Sequence, residues 1–273
     1  MKSTNKVVRA GFAFVLVTML FASGCKKGTG LNIFSIEDDK NFGAKMETEI
    51  ANNPTQYPLL DQATHQASYA YLNSLKQNIL ASGQLTHAND FVWKLYIIKD
   101  DNTQNAFCTP GGYIYVYTGL IKYLNNASSL AGVIGHEMAH ADQRHSTNQM
   151  TKQYGLDLLV SIVAGTTSGG QLAQIAASLS TLAFSREDEK DADAHSVIYL
   201  CPTQYRADGA ADFFEKIIAS GTSQPVPAFL STHPNPDTRV ANIHAKKTEL
   251  NCSGVPSDGT ENADYTAFKA SLN

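Results

Sequence analysis

The stretch Ala131-Gly132-Val133-Ile134-Gly135-His136-Glu137-Met138-Ala139-His140-Ala141-Asp142-Gln143-Arg144-His145 decides how this 273-residue chain is read. At its centre stands His136-Glu137-Met138-Ala139-His140, the spacing His-Glu-x-x-His. On a helix turning about 100° per residue, His136 and His140 lie about 40° apart around the axis and one turn apart along it, so both imidazoles reach one tetrahedral ion. Glu137 stands beside them, where its carboxylate approaches a water in the ion's open position as a general base. The flanks favour the helix. Asn126 or Ser128 caps its start, and Leu130, Val133, Ile134, Met138 and Ala141 make an apolar stripe that buries it. Taken alone, so short a pattern also suits two ordinary histidines on an amphipathic helix, and the rest of the chain must supply a third ligand.

Ser185-Arg186-Glu187-Asp188-Glu189-Lys190-Asp191-Ala192-Asp193 is where that ligand comes from. Glu189 and Asp193 are four residues apart and share a helix face, so Glu189 binds the metal while Asp193 reaches a ligating histidine's second nitrogen. Read by itself the acidic run is a solvated helix face. About fifty residues after His-Glu-x-x-His it completes a set of two imidazoles and one carboxylate that leaves a position open for water. His145 is a rival. Nine residues after His136, it lies roughly 180° away around a continuous helix and faces elsewhere. The longer pattern His-Glu-x-x-His-x-x-Gly-x-x-His needs a glycine at position 143 and a histidine at 146, where the chain has Gln143 and Ser146. His195, about 120° around the helix from Glu189, is taken as structural. Further on, His233-Pro234-Asn235-Pro236-Asp237-Thr238-Arg239 reads as a helix start. Its histidine is either a capping or loop residue or, with Arg239, a group near the metal that stabilises an oxyanion.

Upstream, Ile36 to about Ala51 and about Leu59 to Ala81 carry apolar residues at helical spacing. Phe91 to Ile98 is rich in β-formers and reads as a strand, and Tyr113 to Leu120 alternates as a second, half-buried one. Two strands this close predict a small antiparallel sheet beside the histidine helix. If the second strand is an edge, Gly111, Gly112, Tyr113 and Tyr115 border a cleft where an extended substrate adds its backbone to the sheet. Equally, the tyrosines simply cover one sheet face. Gly165 to Gly170 is a flexible connection or a lid rather than a phosphate loop, since no Lys-Ser or Lys-Thr pair follows it. The pattern is that of a mainly helical α+β domain.

With 43% hydrophobic and 17% charged residues the composition suits one globular domain plus tails, and a formal net charge of −4 leaves no electrostatic footprint for nucleic acid. Lys2, Lys6 and Arg9 precede the apolar run Gly11 to Ala22, which is too short to span a bilayer comfortably. The run ends in Ala22-Ser23-Gly24-Cys25, similar to the lipobox of bacterial lipoproteins, with a plain cleaved signal or an uncleaved anchor as competing readings. The expected organisation is a signal peptide over 1–24, lipidated Cys25 and a tether over 25–35, the catalytic domain over 36–250, and a weakly structured or peripheral tail over 251–273. By resemblance to lipoprotein sorting in general, Lys26 with no acidic run behind it implies an outer-membrane anchor facing the periplasm. Of Cys108, Cys201 and Cys252 one is left over in an oxidising compartment, and a Cys201–Cys252 bridge is preferred, although spacing alone does not settle connectivity.

Several motifs together carry a family likeness. Asn105-Ala106-Phe107, Pro110-Gly111-Gly112 with Gly119-Leu120, His136 to His140 with Arg144-His145, Ser185-Arg186 with Glu189 to Asp193, and His233-Pro234 with Arg239 stand in the order seen in the gluzincin metallopeptidases. The chain resembles the branch of HtpX and the CAAX prenyl endopeptidases, and within it the soluble bacterial lipoproteins such as LoiP and BepA, over about residues 36–250. The resemblance implies a zincin-like fold and one zinc ion per chain held by His136, His140 and Glu189. It implies Glu137 as base, Asp193 behind the ligands, His233 and Arg239 at the active site, and the Gly111 to Tyr117 strand bordering the cleft. It implies an endopeptidase acting on misfolded or unassembled envelope proteins, the alternative being a zinc-stabilised chaperone or adaptor with little turnover. The chain departs from the pattern at Asp191, where glutamate is usual, and at Ala194 and Ser196. No helical repeat domain is expected after Leu250, and without the membrane helices of HtpX prenylated substrates are not expected.

Overall fold

Residues 32–220, 227–233, 236–253 and 260–273 are described by a computed structural model, so the expected leader, Cys25 and most of the tether lie outside the described residues. Helix α1 (Ile36–Ala51) begins at Ser35, whose hydroxyl accepts from the Asp38 amide while the Asp38 carboxylate accepts from the Ser35 amide. This reciprocal cap satisfies two amides that the first helical turn leaves without partners. Helix α2 (Gln66–Leu80) starts later than its apolar pattern suggests, because Leu59 bridges to Ile98 and extends the sheet instead.

Three strands follow: β1 (Lys94–Ile98), β2 (Ala106–Thr109) and β3 (Tyr113–Tyr117), in the spatial order β1-β3-β2. The expectation of an antiparallel pair is corrected here. β1 runs parallel to β3, and the antiparallel partner of β3 is β2, a strand the alternation did not reveal. Pro110-Gly111-Gly112 makes the tight return between β2 and β3. Both glycines have positive φ, 79° and 89°, and a Cβ on Gly111 would lie 2.9 Å from the Asp39 carbonyl oxygen. Only glycine meets both demands without strain.

β3 is buried on both faces rather than half-buried. Ile114 and Val116 join the larger core with α2 and the histidine helix, while Tyr113, Tyr115 and Tyr117 form a second core with Phe42, Met46 and Ile50 of α1. Tyr115 stacks between Tyr96 and Phe107 at centroid distances of 5.1 and 4.8 Å. The alternation therefore separates an aliphatic face from an aromatic one, with no solvent on either.

After the short α3 (Thr118–Tyr123) comes the central helix α4 (Ala127–Asp142), capped by the Asn126 side chain accepting from Ser129 N. Every residue of α4 is buried, so it is enclosed on all sides rather than along one stripe. Against it pack α5 (His145–Tyr154), α8 (Arg186–Leu200) and α9 (Gly209–Ser220), while α6 (Leu156–Val163) and α7 (Gly169–Ser178) pack on α1. A short α10 (Phe229–Thr232), α11 (Pro236–Glu249) and α12 (Thr260–Ala270) complete the chain. The glycine-rich segment joins α6 to the first turn of α7, which packs on α1. The expected weak tail is also corrected: Tyr265, Phe268 and Leu272 are buried in the main core, and Phe268 stacks on Tyr71 of α2 at 4.3 Å. Cys201 and Cys252 are bridged, tying the end of α8 to the end of α11, and Cys108 is free and buried. Among the described residues no helix is long and apolar enough to cross a membrane.

Candidate active site

Four elements deliver the site. α4 presents His136, Glu137 and His140 on one face, as one-turn spacing demands. α8 presents Glu189 and Asp193, its first turn held by Ser185 and Asp188 in a second reciprocal cap. His233 follows α10, and Arg239 stands in the first turns of α11. The separation of fifty residues between the two acidic and histidine motifs closes because α4 and α8 pack directly, with the Ser196 hydroxyl donating to the Gly132 carbonyl at 2.8 Å.

The three expected donors converge. Glu189 Oε1 is 3.4 Å from His140 Nε2, Glu189 Oε2 is 3.5 Å from His136 Nε2, and the two Nε2 atoms are 3.0 Å apart. His136 Nδ1 lies 3.0 Å from Asp193 Oδ1 and donates to it, which leaves the Nε2 lone pair bare. A fourth donor joins them: His233 Nδ1 is 2.8 Å from Glu189 Oε1 and 3.3 Å from His136 Nε2. His136, His140, Glu189 and His233 are all buried, and one ligand atom from each lies within 4.8 Å of the others. Two imidazole nitrogens and a carboxylate brought face to face need a proton or a metal cation between them, and nitrogen and oxygen donors in this number suit one zinc ion.

The field around the donors favours positive charge. Burial and the Arg239 cation push the His136 imidazole down, but the Asp193 and Glu189 carboxylates outweigh them and hold it up at about 9. Burial pushes the Glu189 carboxyl up, yet His233, Arg239 and the two donor histidines bring it well below its ordinary value. Asp193 is likewise lowered, its burial outweighed by Arg239 and His136. Glu137 moves the other way, raised chiefly by burial although His233 and His136 oppose it. Neither of its carboxylate oxygens has a hydrogen-bond partner among the described residues, and His233 Nε2 is 3.5 Å from one of them. A buried carboxylate with free acceptors thus stands beside the metal-binding cluster.

Arg239 is placed differently from a free oxyanion donor. Its Nε and Nη2 grip Asp193 at 2.7 and 2.5 Å, and its Nη1 reaches Glu189 Oε2 at 2.7 Å. The guanidinium thus holds the two carboxylates of α8 in place. The residues expected to line the cleft are also corrected. Gly111 and Gly112 pack against α1, Phe91 and Trp93, and Tyr113 and Tyr115 are 3% and 0% exposed on the sheet face turned to α1. β3 is the middle strand, with both edges paired, so it offers no edge to a peptide. The strand beside α4 is β2, where Cys108 lies next to Glu137 and within 3.1 Å of the Ser146 hydroxyl. Burial and then the Glu137 charge keep the Cys108 thiol protonated.

Sequence reasoning missed His145. α4 ends at Asp142, and Arg144 takes a left-handed conformation with φ of 60°, its side chain bound to Asp39 and to the carbonyl of Ser35. The chain turns there, so the angle extrapolated along a continuous helix does not hold, and His145 Nδ1 comes within 3.1 Å of His140 Nδ1. Phe184, stacked on His140 at 3.8 Å, and Phe229, stacked on His233 at 4.0 Å, wall the site with apolar surface. The Arg144-His145 pair was the signal for the first; nothing in the apolar pattern marked the two rings.

A helix bearing two histidines and a buried glutamate, a carboxylate from a second helix and a small sheet alongside define a zinc metallopeptidase site of the gluzincin type. Residues 66–247 match peptidase family M48, and the chain belongs to that family. It is 30% identical over 187 residues to the mitochondrial metalloendopeptidase OMA1 of Schizosaccharomyces pombe, covering 67% of this chain and 54% of that protein. It is 29% identical over 207 residues to the beta-barrel assembly-enhancing protease of Escherichia coli, covering 66% and 39%. Against the metalloprotease YcaL of Escherichia coli it is 28% identical over 182 residues, covering 64% and 70%. The chain spans about half or less of the length of the first two.

Proposed function

We propose that this chain is a zinc-dependent endopeptidase that hydrolyses peptide bonds in misfolded or unassembled proteins of the cell envelope. The observation that carries the reading is the pair of unpartnered Glu137 oxygens buried beside four converging metal donors. Bound by these donors, zinc would supply Lewis acidity and lower the pKa of a nearby water. Glu137 accepts the proton of the attacking water and delivers it to the leaving amine. His136, His140 and Glu189 hold the ion, with Asp193 orienting His136. Of the two groups suited to the oxyanion, His233 is the better placed, because Arg239 is engaged by carboxylates on three nitrogens. In this arrangement His233 also stands among the four donors, so it would have to turn away from them to act on a substrate.

The envelope setting rests on other grounds. A Cys201–Cys252 bridge belongs to an oxidising compartment. The basic and apolar leader ending at Cys25 fits lipidation and attachment to the periplasmic face of the outer membrane, and the name of the Escherichia coli beta-barrel assembly-enhancing protease fits envelope substrates. An extended substrate is best served by the β2 side of the sheet, the strand nearest Glu137.

Glu137→Gln is expected to keep stoichiometric zinc and lose cleavage of unfolded casein by about 10²–10⁴-fold, whereas Glu189→Ala loses the zinc itself. Metal content and proteolysis are measured together on the chain starting after Cys25. A Gln variant that cleaves as fast as the parent removes Glu137 from the role of base. Retention of the in vivo effect by that variant would favour a zinc-stabilised chaperone or adaptor instead.

A further inference from the structure

Each donor histidine of a metal site has a second nitrogen, and what that nitrogen meets decides which ring nitrogen faces the ion. His136 meets Asp193, the partner expected from spacing. His140 meets no carboxylate at Nδ1; it meets His145, Nδ1 to Nδ1 at 3.1 Å. His145 Nε2 in turn lies 3.3 Å from Asp191 Oδ2, with Asp188 Oδ1 further away at 3.9 Å. Asp191 also takes His195 at 3.3 Å.

The proton positions along this line follow from one requirement. His140 turns Nε2 toward Glu189 and His136, so that nitrogen must be bare for a metal, and the neutral ring then carries its proton on Nδ1. That proton can only be donated to His145 Nδ1, which must accept and therefore carries its own proton on Nε2. The Nε2 proton points to Asp191. Every link has one donor and one acceptor, and the line ends on a carboxylate that is 46% exposed, within reach of water.

Resting on the reading of the site as a zinc centre, we propose that His145 and Asp191 are positioning residues which fix the tautomer and orientation of His140 and so set the affinity of the site for zinc. They touch neither substrate nor ion. The bend at Arg144 is what makes the arrangement possible, since it swings His145 back over α4. A buried His140 N–H left without its acceptor loses a hydrogen bond at no gain in solvation, and the ring is freed to turn.

The test is zinc affinity of the full chain, read by competition with a chromophoric chelator, with circular dichroism as the check on folding. H145L is expected to bind zinc about 10–100-fold more weakly. H145N, whose side-chain oxygen occupies the place of Nδ1, is expected to recover most of that loss. D191A, at a half-exposed position that tolerates truncation, is expected to weaken binding about three- to tenfold. H145L and D191A both at parental affinity overturn the proposal. If H145L does not fold, D191A decides it: weakened zinc binding supports the relay, and unchanged binding overturns it. A parent chain that holds no zinc at all would strike down the proposed function together with this inference. Zinc held by the parent and equally by the variants strikes down the inference alone.

Discussion

Arg239 shows how one cation organises several anions at this site. Its guanidinium spans Asp193 by two hydrogen bonds and pairs with Glu189 by charge at 2.7 Å, and Phe214 lies under it at 4.2 Å. The fork geometry matters, because a lysine supplies charge from a single point and cannot hold two carboxylates in fixed orientation. Arg239→Met would leave Asp193 and Glu189 buried without this partner. The expected cost is about 3–5 kcal/mol of stability, seen as a lower urea midpoint, with Arg239→Lys recovering only part of it. A midpoint within error of the parent would mean that other groups neutralise those carboxylates. At this scale the ligands were legible because their spacing is local: four residues place two side chains on one helix face whatever surrounds them. The engagement of Arg239 was not legible, since it depends on where α11 lies relative to α8.

Among the elements, the contact of α4 with α9 sets how tightly the histidine helix is held. A Cβ on Gly132 would stand 2.0 Å from the Ala210 amide nitrogen, and one on Gly209 would stand 2.0 Å from the Ser128 carbonyl oxygen. Both obstacles are backbone, so neither can turn aside as a side chain does. Gly132→Ala is expected to lower stability by about 1–3 kcal/mol, measured as a fall in melting temperature. Gly135→Ala, facing only the Ser196 hydroxyl at 3.1 Å, should cost less. An equal melting temperature for the Gly132 variant and the parent would show that the two helices can separate freely. Helix α4, with a cap at Asn126 or Ser128, was readable from polar residues placed just before a helical run. The pairing of the strands was not. Alternation reports which side chains share a face but carries no information on strand direction, and the four-residue β2 is too short to show it.

For the molecule as a whole, the Cys201–Cys252 bridge closes a loop of 51 residues that contains α9, α10 and α11, and with them His233 and Arg239. Cross-linking ends this far apart removes many conformations from the unfolded chain. Reduction, or the Cys201→Ser/Cys252→Ser pair, is expected to lower stability by about 2–4 kcal/mol, read as the shift in urea midpoint between oxidising and reducing buffer. No shift would mean that the fold around α11 is held by packing alone. The closing helix α12 adds to that packing through Tyr265, Phe268 and Leu272. Its sequence looked like a weak tail because its three anchors are thinly spread among polar residues, and their worth depends on the pocket that α2 and α4 provide.

Read alone, the chain's residues determined that two imidazoles share one helix face with a glutamate beside them and that Glu189 and Asp193 share a face of another helix, because helix periodicity converts spacing into direction without reference to anything distant. The mainly helical α+β class followed from the same periodicities. Only the tertiary structure decided that Glu189 meets the two histidines, that His233 joins them, that Arg239 clamps the carboxylates, that β2 rather than β3 neighbours Glu137, and that His145 stands behind His140. Each of these depends on a turn or a packing of remote segments, and above all on the left-handed bend at Arg144, whose conformation is held by Asp39 and Ser35 from more than a hundred residues upstream.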